Sequence, residues 1–255
     1  MKKIVLFDLD GTLTPPRGKM QHEIINSLAR IQKTGVEVGI VTGSDLNYLE
    51  EQCDAMLDIG PVDITKIHFL PCNGTKYYDF ENNFRLIKSV DMIEKIGKDT
   101  YREIIKECMT MQLDLFESHK QLEYTGNYLD YRGSVLNWCP IGRSANPTQR
   151  KLFIDADNTF HIRNRCINHL RPNKYFKKVD IVLGGESSFD IYPCGWDKTF
   201  ALQYFKEYDV YFVGDRCQLN GNDRSIYLQC GQNGYCTTGP QNTIEIIDKI
   251  LVGIQ

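Results

Sequence analysis

The chain has 255 residues, 42% hydrophobic and 25% charged, which excludes collagen-like and disordered classes. Its formal net charge of −3 supplies no basic footprint, so neither a nucleic-acid nor a membrane partner is expected. Apolar runs such as Ile4 to Phe7 are far too short to span a bilayer, and the length admits one large or two modest domains.

In chain order, Lys3 to Phe7 reads as a short buried strand that ends at acids. Met20 to Ile31 carries apolar residues at helical spacing, and Gly35 closes that helix. Val36 to Val41 is a second buried strand. Asp45 to Leu57 is a second helix with Ser44 as its cap, and Ile67 to Leu70 is a third strand. This β-α-β-α-β order implies parallel strands with right-handed crossovers, with ligands at the carboxyl ends of the strands. From about Phe84 to Asp190 the pattern changes. Helices are predicted over 99–115, 148–155 and 159–170, and strands over 124–131, 134–139, 179–183 and 188–192. The first rhythm returns after Trp196, with a helix to about Phe205, a strand at Val210 to Val213 and a last helix over 240–251. The layout is a split parallel-sheet α/β core, residues 1–83 and 193–255, interrupted by an α+β insert with an antiparallel sheet over 84–192.

The N-terminus begins basic and apolar as a secretion signal does, then meets two acids with no small-residue cleavage site. Nine cysteines, an odd number without a C-x-x-C pair, read as reduced thiols of a cytoplasmic protein.

Asp8-Leu9-Asp10-Gly11-Thr12 follows directly on the first strand. Two carboxylates two residues apart at a strand end can meet one cation while one of them stays able to attack. Gly11 and Thr12 suit a loop whose backbone N–H groups wrap a phosphate. The full string Phe7 to Thr14 resembles the first signature of the haloacid dehalogenase superfamily of phosphotransferases. Partner motifs occur in order. Gly43-Ser44-Asp45 offers a hydroxyl and amides for phosphate. Lys198 can neutralise a nucleophile and a transferring phosphoryl group. Val213-Gly214-Asp215 and Gly221-Asn222-Asp223 supply acids for a Mg²⁺ site.

The insert carries Arg132-Gly133-Ser134-Val135-Leu136-Asn137, then Pro140-Ile141-Gly142-Arg143-Ser144, then Gly184 to Asp190, followed by Gly195-Trp196-Asp197-Lys198. With Thr14-Pro15-Pro16-Arg17, these strings resemble the eukaryotic-type phosphomannomutase family over nearly the whole chain. That resemblance implies a Rossmann-like core with a cap, and a homodimer through the cap. It implies Asp8 as the nucleophile that becomes an aspartyl-phosphate and Asp10 as general acid/base. Mg²⁺ would rest on Asp8, the Asp10 backbone carbonyl and Asp215, with Asn222 and Asp223 behind them. Arg17, Arg132, Arg143 and Arg150 match positions that hold the sugar phosphate, and Ser188 and Asp190 match positions that bind substrate. The implied activity interconverts mannose 6-phosphate and mannose 1-phosphate, with a hexose 1,6-bisphosphate as intermediate and activator. GDP-mannose synthesis is the consumer it implies. The alternative is a sugar-phosphate phosphatase of the same superfamily. One departure stands out: Gln229 and Gln232 occupy the stretch where the family carries an acid and a threonine at a second cation.

The physics agrees with such roles. A mutase must hold both phosphates of its bisphosphate intermediate, and Arg forks pair bidentately with phosphate. In-line transfer needs positioning and charge neutralisation more than covalent help.

Overall fold

The computed structural model describes residues 2–16, 18–58, 60–219 and 221–254, the side chains of Asp58 and Ile254 apart. The chain divides into two compact units, Met1–Ser89 with Trp196–Gln255, and Val90–Gly195.

In the first unit, β1 (Lys2–Phe7), α1 (His22–Lys33), β2 (Glu37–Val41), α2 (Leu46–Asp58) and β3 (Ile67–Leu70) follow the expected alternation. A hairpin of β4 (Lys76–Phe80) and β5 (Phe84–Ser89) comes next. Because β5 pairs antiparallel with β4, Phe84–Ser89 extends the core sheet, whereas the sequence pattern starts the insert there. The second unit holds α3 (Met92–Ile96), α4 (Lys98–Ser118), β6 (Leu129–Tyr131), β7 (Leu136–Trp138), α5 (Pro147–Phe160), α6 (Ile162–Leu170), β8 (Val179–Gly184) and β9 (Ser188–Pro193). The chain then returns to the first unit with β10 (Tyr208–Gly214), α7 (Arg224–Cys230), β11 (Gly234–Cys236) and α8 (Pro240–Ile254).

The core sheet runs β11-β10-β1-β2-β3-β4-β5, parallel from β11 to β3. Alternation along β1 divides its apolar run between two cores. Val5 and Phe7 join Ile24, Leu28, Leu49 and Ile247 from α1, α2 and α8 on one face. Ile4 and Leu6 join Phe205, Phe212 and Ile226 on the other. These four side chains of β1 are fully buried, each contributing about 1.5–3 kcal/mol of transfer free energy, and that double burial is why this part of the strand reads as a continuous apolar run. Strand order reverses at β1. The chain builds outward through β2 and β3 on one side, then returns to place β10 on the other, which opens a crevice at the carboxyl ends of β1 and β10.

The second unit is a four-stranded antiparallel sheet, β6-β7-β9-β8, with one apolar face. Trp138 stacks on Phe189 with ring centroids 4.5 Å apart, and the Trp138 indole N–H donates to Gln112 of α4 at 2.8 Å. Gln112 is fully buried and donates in turn to the Pro140 carbonyl, so the polar tip of each side chain is satisfied.

Several predicted elements change extent, each for a local reason. The strand over 124–131 shrinks to β6, because Asn127 takes a left-handed φ of 53° that no strand tolerates. The strand over 134–139 reduces to Leu136–Trp138. The break between α5 and α6 falls at His161, φ 53°, two residues beyond the expected start of the second helix. Residues Lys198–Phe205 form a 3₁₀ segment rather than an α-helix. The cap of α2 is Asp45, not Ser44: its carboxylate accepts from the Tyr48 N–H at 3.0 Å. α7 and β11 carry too little periodicity to be read from the sequence.

Candidate active site

Asp8 stands at the carboxyl end of β1, where its N–H donates to the Val213 carbonyl of β10 at 2.9 Å. The next residues turn at once. The Leu9 carbonyl accepts from the N–H groups of Thr12, Leu13 and Thr14, and Thr243 of α8 clasps the Thr12 carbonyl at 2.9 Å. Gly11 adopts φ +80°, and a Cβ there would lie 2.4 Å from the Asp215 carboxylate. Only glycine lets the loop pass so close to that acid.

Lys198, 1% exposed, donates its ammonium to Asp8 and to Asp223, the latter at 2.5 Å. Asp223 is fully buried, and its other oxygen accepts from the Arg216 N–H at 3.0 Å. Thr12 donates to the second oxygen of Asp8 at 3.3 Å. Asp10 points its carboxylate at a different partner, accepting from the Tyr48 hydroxyl at 2.7 Å. Ser44 lies half-buried beyond β2, its N–H on the Thr42 hydroxyl and its carbonyl accepting from the Cys72 N–H.

Ligand oxygens of Asp8, Asp215 and Asp223 all lie within 4.8 Å of one another. Burial pushes Asp8 up to about 8, with Asp223 and Asp215 adding to the rise and Lys198 working against it. Asp215 is pushed up to about 6 by burial and by Asp223. Burial alone would lower Lys198, but Asp223 and Asp8 outweigh it and hold the ammonium charged. The Lys198 ammonium and the Arg216 guanidinium, 3.9 Å from Asp215, set two positive charges against three carboxylates and leave the cluster short of positive charge. The Asn222 amide oxygen beside it in sequence is buried with no hydrogen-bond partner among the described residues. A set of hard oxygen donors with excess negative charge fits a divalent cation. Asp223, expected behind the ligands, is one of the three converging carboxylates, while the Asp10 side chain is not among them.

The second unit presents its own polar cluster. Across the sheet, Asp130 pairs with Asn137 and Asn137 with Asp190, so the three form a row on one face. Asp130 Oδ2 accepts from Arg132 Nε at 3.0 Å and pairs with Arg143 Nε at 3.4 Å. Arg143 also donates to Asn137 Oδ1 at 3.0 Å, and Asn137 donates to Asp190 at 2.7 Å and to Ser188 Oγ at 3.2 Å. Arg132, Arg143, Ser188 and Asp190 thus come together. Arg150 serves its neighbours, donating to the carbonyls of Ala145 and Arg143 and to Ser187 Oγ. Arg17 lies outside the described residues.

Asp130 and Tyr48 escape sequence reading altogether, and Asn137 is read only as part of a string. For Asp130 the available signal is the alternation Asp130-x-Arg132, which puts both on one strand face. Tyr48 has no local signal, because its partner lies 38 residues away.

A family model described as eukaryotic phosphomannomutase matches residues 24–253. A phosphomannomutase of Galdieria sulphuraria is 33% identical, covering 95% of this chain and 92% of the relative. One from Schizosaccharomyces pombe is 32% identical over 98% of this chain and 94% of the relative. Among solved structures, an IMP-bound IMP-nucleotidase of Plasmodium falciparum superposes with a TM-score of 0.64 at 14% identity, covering 98% of this chain and 68% of that one. A protein of Streptococcus mutans UA159 superposes with a TM-score of 0.62 at 14% identity over 99% of this chain and 100% of its own. These two likenesses speak to the fold. The sequence matches go further: the chain belongs to the eukaryotic phosphomannomutase family.

Proposed function

We propose that the protein is a phosphomannomutase that interconverts mannose 6-phosphate and mannose 1-phosphate through an aspartyl-phosphate at Asp8. The observation that carries this reading is the buried Asp8–Lys198–Asp223 ion cluster at the strand-order reversal, set in a chain that matches the family nearly end to end. Asp8 attacks phosphorus, the phosphorus–oxygen bond to the sugar breaks, and Asp10 delivers its proton to the leaving oxygen. In the return half, Asp10 takes the proton from whichever sugar hydroxyl attacks the aspartyl-phosphate. Lys198 holds Asp8 in place and offsets charge on the transferring group. Asp8, Asp215 and Asp223, with the Asp10 backbone carbonyl, would hold Mg²⁺, which supplies Lewis-acid neutralisation of the phosphoryl oxygens.

Arg132 and Arg143, fixed by one carboxylate, serve the distal phosphate, with Arg17 and Arg150 in the same set and Ser44 on the transferring one. Ser188 and Asp190 receive sugar hydroxyls. A hexose 1,6-bisphosphate primes Asp8. The enzyme works in the cytoplasm as a homodimer through the cap and feeds GDP-mannose synthesis; its nine free cysteines fit a reducing compartment. Among the described residues, no helix is long and apolar enough to cross a membrane.

The test is ³¹P NMR of purified protein with mannose 1-phosphate, Mg²⁺ and catalytic glucose 1,6-bisphosphate. A growing mannose 6-phosphate signal that needs the bisphosphate is expected. Inorganic phosphate alone would make the protein a sugar-phosphate phosphatase.

A further inference from the structure

Tyr48 has no part in the reaction as described, yet its hydroxyl lies 2.7 Å from Asp10 Oδ1. A phenol that donates to a carboxylate at this distance makes a charge-assisted hydrogen bond, stronger and more directional than a neutral one. Two features hold the phenol there. Its ring packs against the buried cluster of α1, α2 and β1, beside fully buried Leu49. Its backbone N–H is taken by the Asp45 carboxylate at the start of α2, which anchors the first turn of the helix. Asp10 sits just beyond the end of β1, in a tight loop, and the phenol reaches it from α2. A rigid donor from another element restricts the side-chain torsions of the carboxylate it holds.

We propose that Tyr48 is a positioning residue for Asp10: it holds one carboxylate oxygen and so aims the other at the oxygen that gains or loses a proton. This rests on the reading of Asp10 as general acid/base. A carboxylate bound at one oxygen by a fixed phenol keeps its plane, and proton transfer in the transition state is sensitive to that plane. The bond leaves the nucleophile Asp8 alone, so it bears on proton delivery and not on the attack itself.

Leaving-group chemistry separates the two. A sugar alkoxide needs a proton as it departs, whereas p-nitrophenolate leaves unaided. Tyr48→Phe and Asp10→Asn are each assayed with mannose 1-phosphate plus catalytic glucose 1,6-bisphosphate and with p-nitrophenyl phosphate. For Tyr48→Phe the expected result is a roughly 10- to 100-fold fall in kcat on the sugar phosphate, with KM little changed. The single-turnover burst of p-nitrophenolate, which reports phosphorylation of Asp8 without the base-assisted return half, should stay within about twofold of wild type. Each variant is compared with itself on two substrates, so a loss of folded protein cancels from the ratio. Tyr48→His, which keeps a ring N–H donor, should recover part of the sugar-phosphate rate, and it stands in if the Phe variant does not fold. Equal losses on both substrates, or no loss on either, would overturn the role of Tyr48 while Asp10→Asn still discriminates between them. If Asp10→Asn itself shows no discrimination, the acid/base reading of Asp10 fails and the role of Tyr48 falls with it.

Discussion

At the residue scale, the cluster around Asp8 is a concentration of buried charge in which Lys198 is the only ammonium among the described contacts. The raised pKa of Asp8, about 8, and of Asp215, about 6, has a consequence for stability. Both lie above the ordinary aspartate value of 3.8, so between about pH 4 and pH 8 the folded state binds more protons than the unfolded one. Stability without metal therefore falls as pH rises through that window. A cation on the three carboxylates competes with those protons, so Mg²⁺ should raise Tm more at about pH 8 than at about pH 5. Thermal melts with and without Mg²⁺ at both pH values check this, and a Tm that ignores Mg²⁺ at both would remove the cluster as a cation site. Asp8→Asn should abolish phosphoryl transfer to every acceptor, because the carboxylate that Lys198 holds is the one read as attacking phosphorus. Retained turnover in a phosphate-release assay would sink that assignment.

At the scale of elements, the antiparallel sheet of the second unit turns one strand register into a row of polar side chains on one face. Asp130, Asn137 and Asp190 share a face because β6, β7 and β9 align them, and one carboxylate, Asp130, pairs with both Arg132 and Arg143. Asp130→Ala removes the carboxylate that both guanidinium groups share. The expected cost is about 1–3 kcal/mol of sugar-phosphate transition-state binding, roughly a 5- to 100-fold loss of kcat/KM. Hydrolysis of a small phosphate without a distal anion should be spared, and steady-state kinetics on both substrates would show it. The connecting turns are equally constrained. Gly142 adopts φ +90°, and a Cβ there would come within 2.1 Å of the Gly126 carbonyl, so Gly142→Ala should destabilise the segment that carries Arg143 by a few kcal/mol. Urea titration with the Trp138 environment as reporter measures it.

For the whole molecule, the order of elements decides what can fold by itself. The second unit is one continuous stretch, Val90–Gly195, with Trp138, Phe153, Phe189 and Ile191 fully buried. A fragment over 90–195 should therefore fold, with cooperative unfolding and dispersed amide resonances. A fragment over 1–89 should not, because β1 pairs with β10 along its whole length and β10 lies in the returning piece. Circular dichroism of the two fragments distinguishes these outcomes.

How much was legible in the sequence follows the same division. The parallel core, the D-x-D loop after β1, Lys198 and the Gly-Asp strand end at Asp215 were readable, because each is a local string whose neighbours in sequence set its conformation. Strand-end chemistry is local, and burial of β1 on both faces leaves an apolar run that any reader of periodicity finds. The joint hold of Asp130 on two arginines and the bond from Tyr48 to Asp10 were not readable. Each depends on where a side chain lands after strands choose a register or a helix packs on the sheet. Such distances are set by long-range burial, which no window along the chain contains.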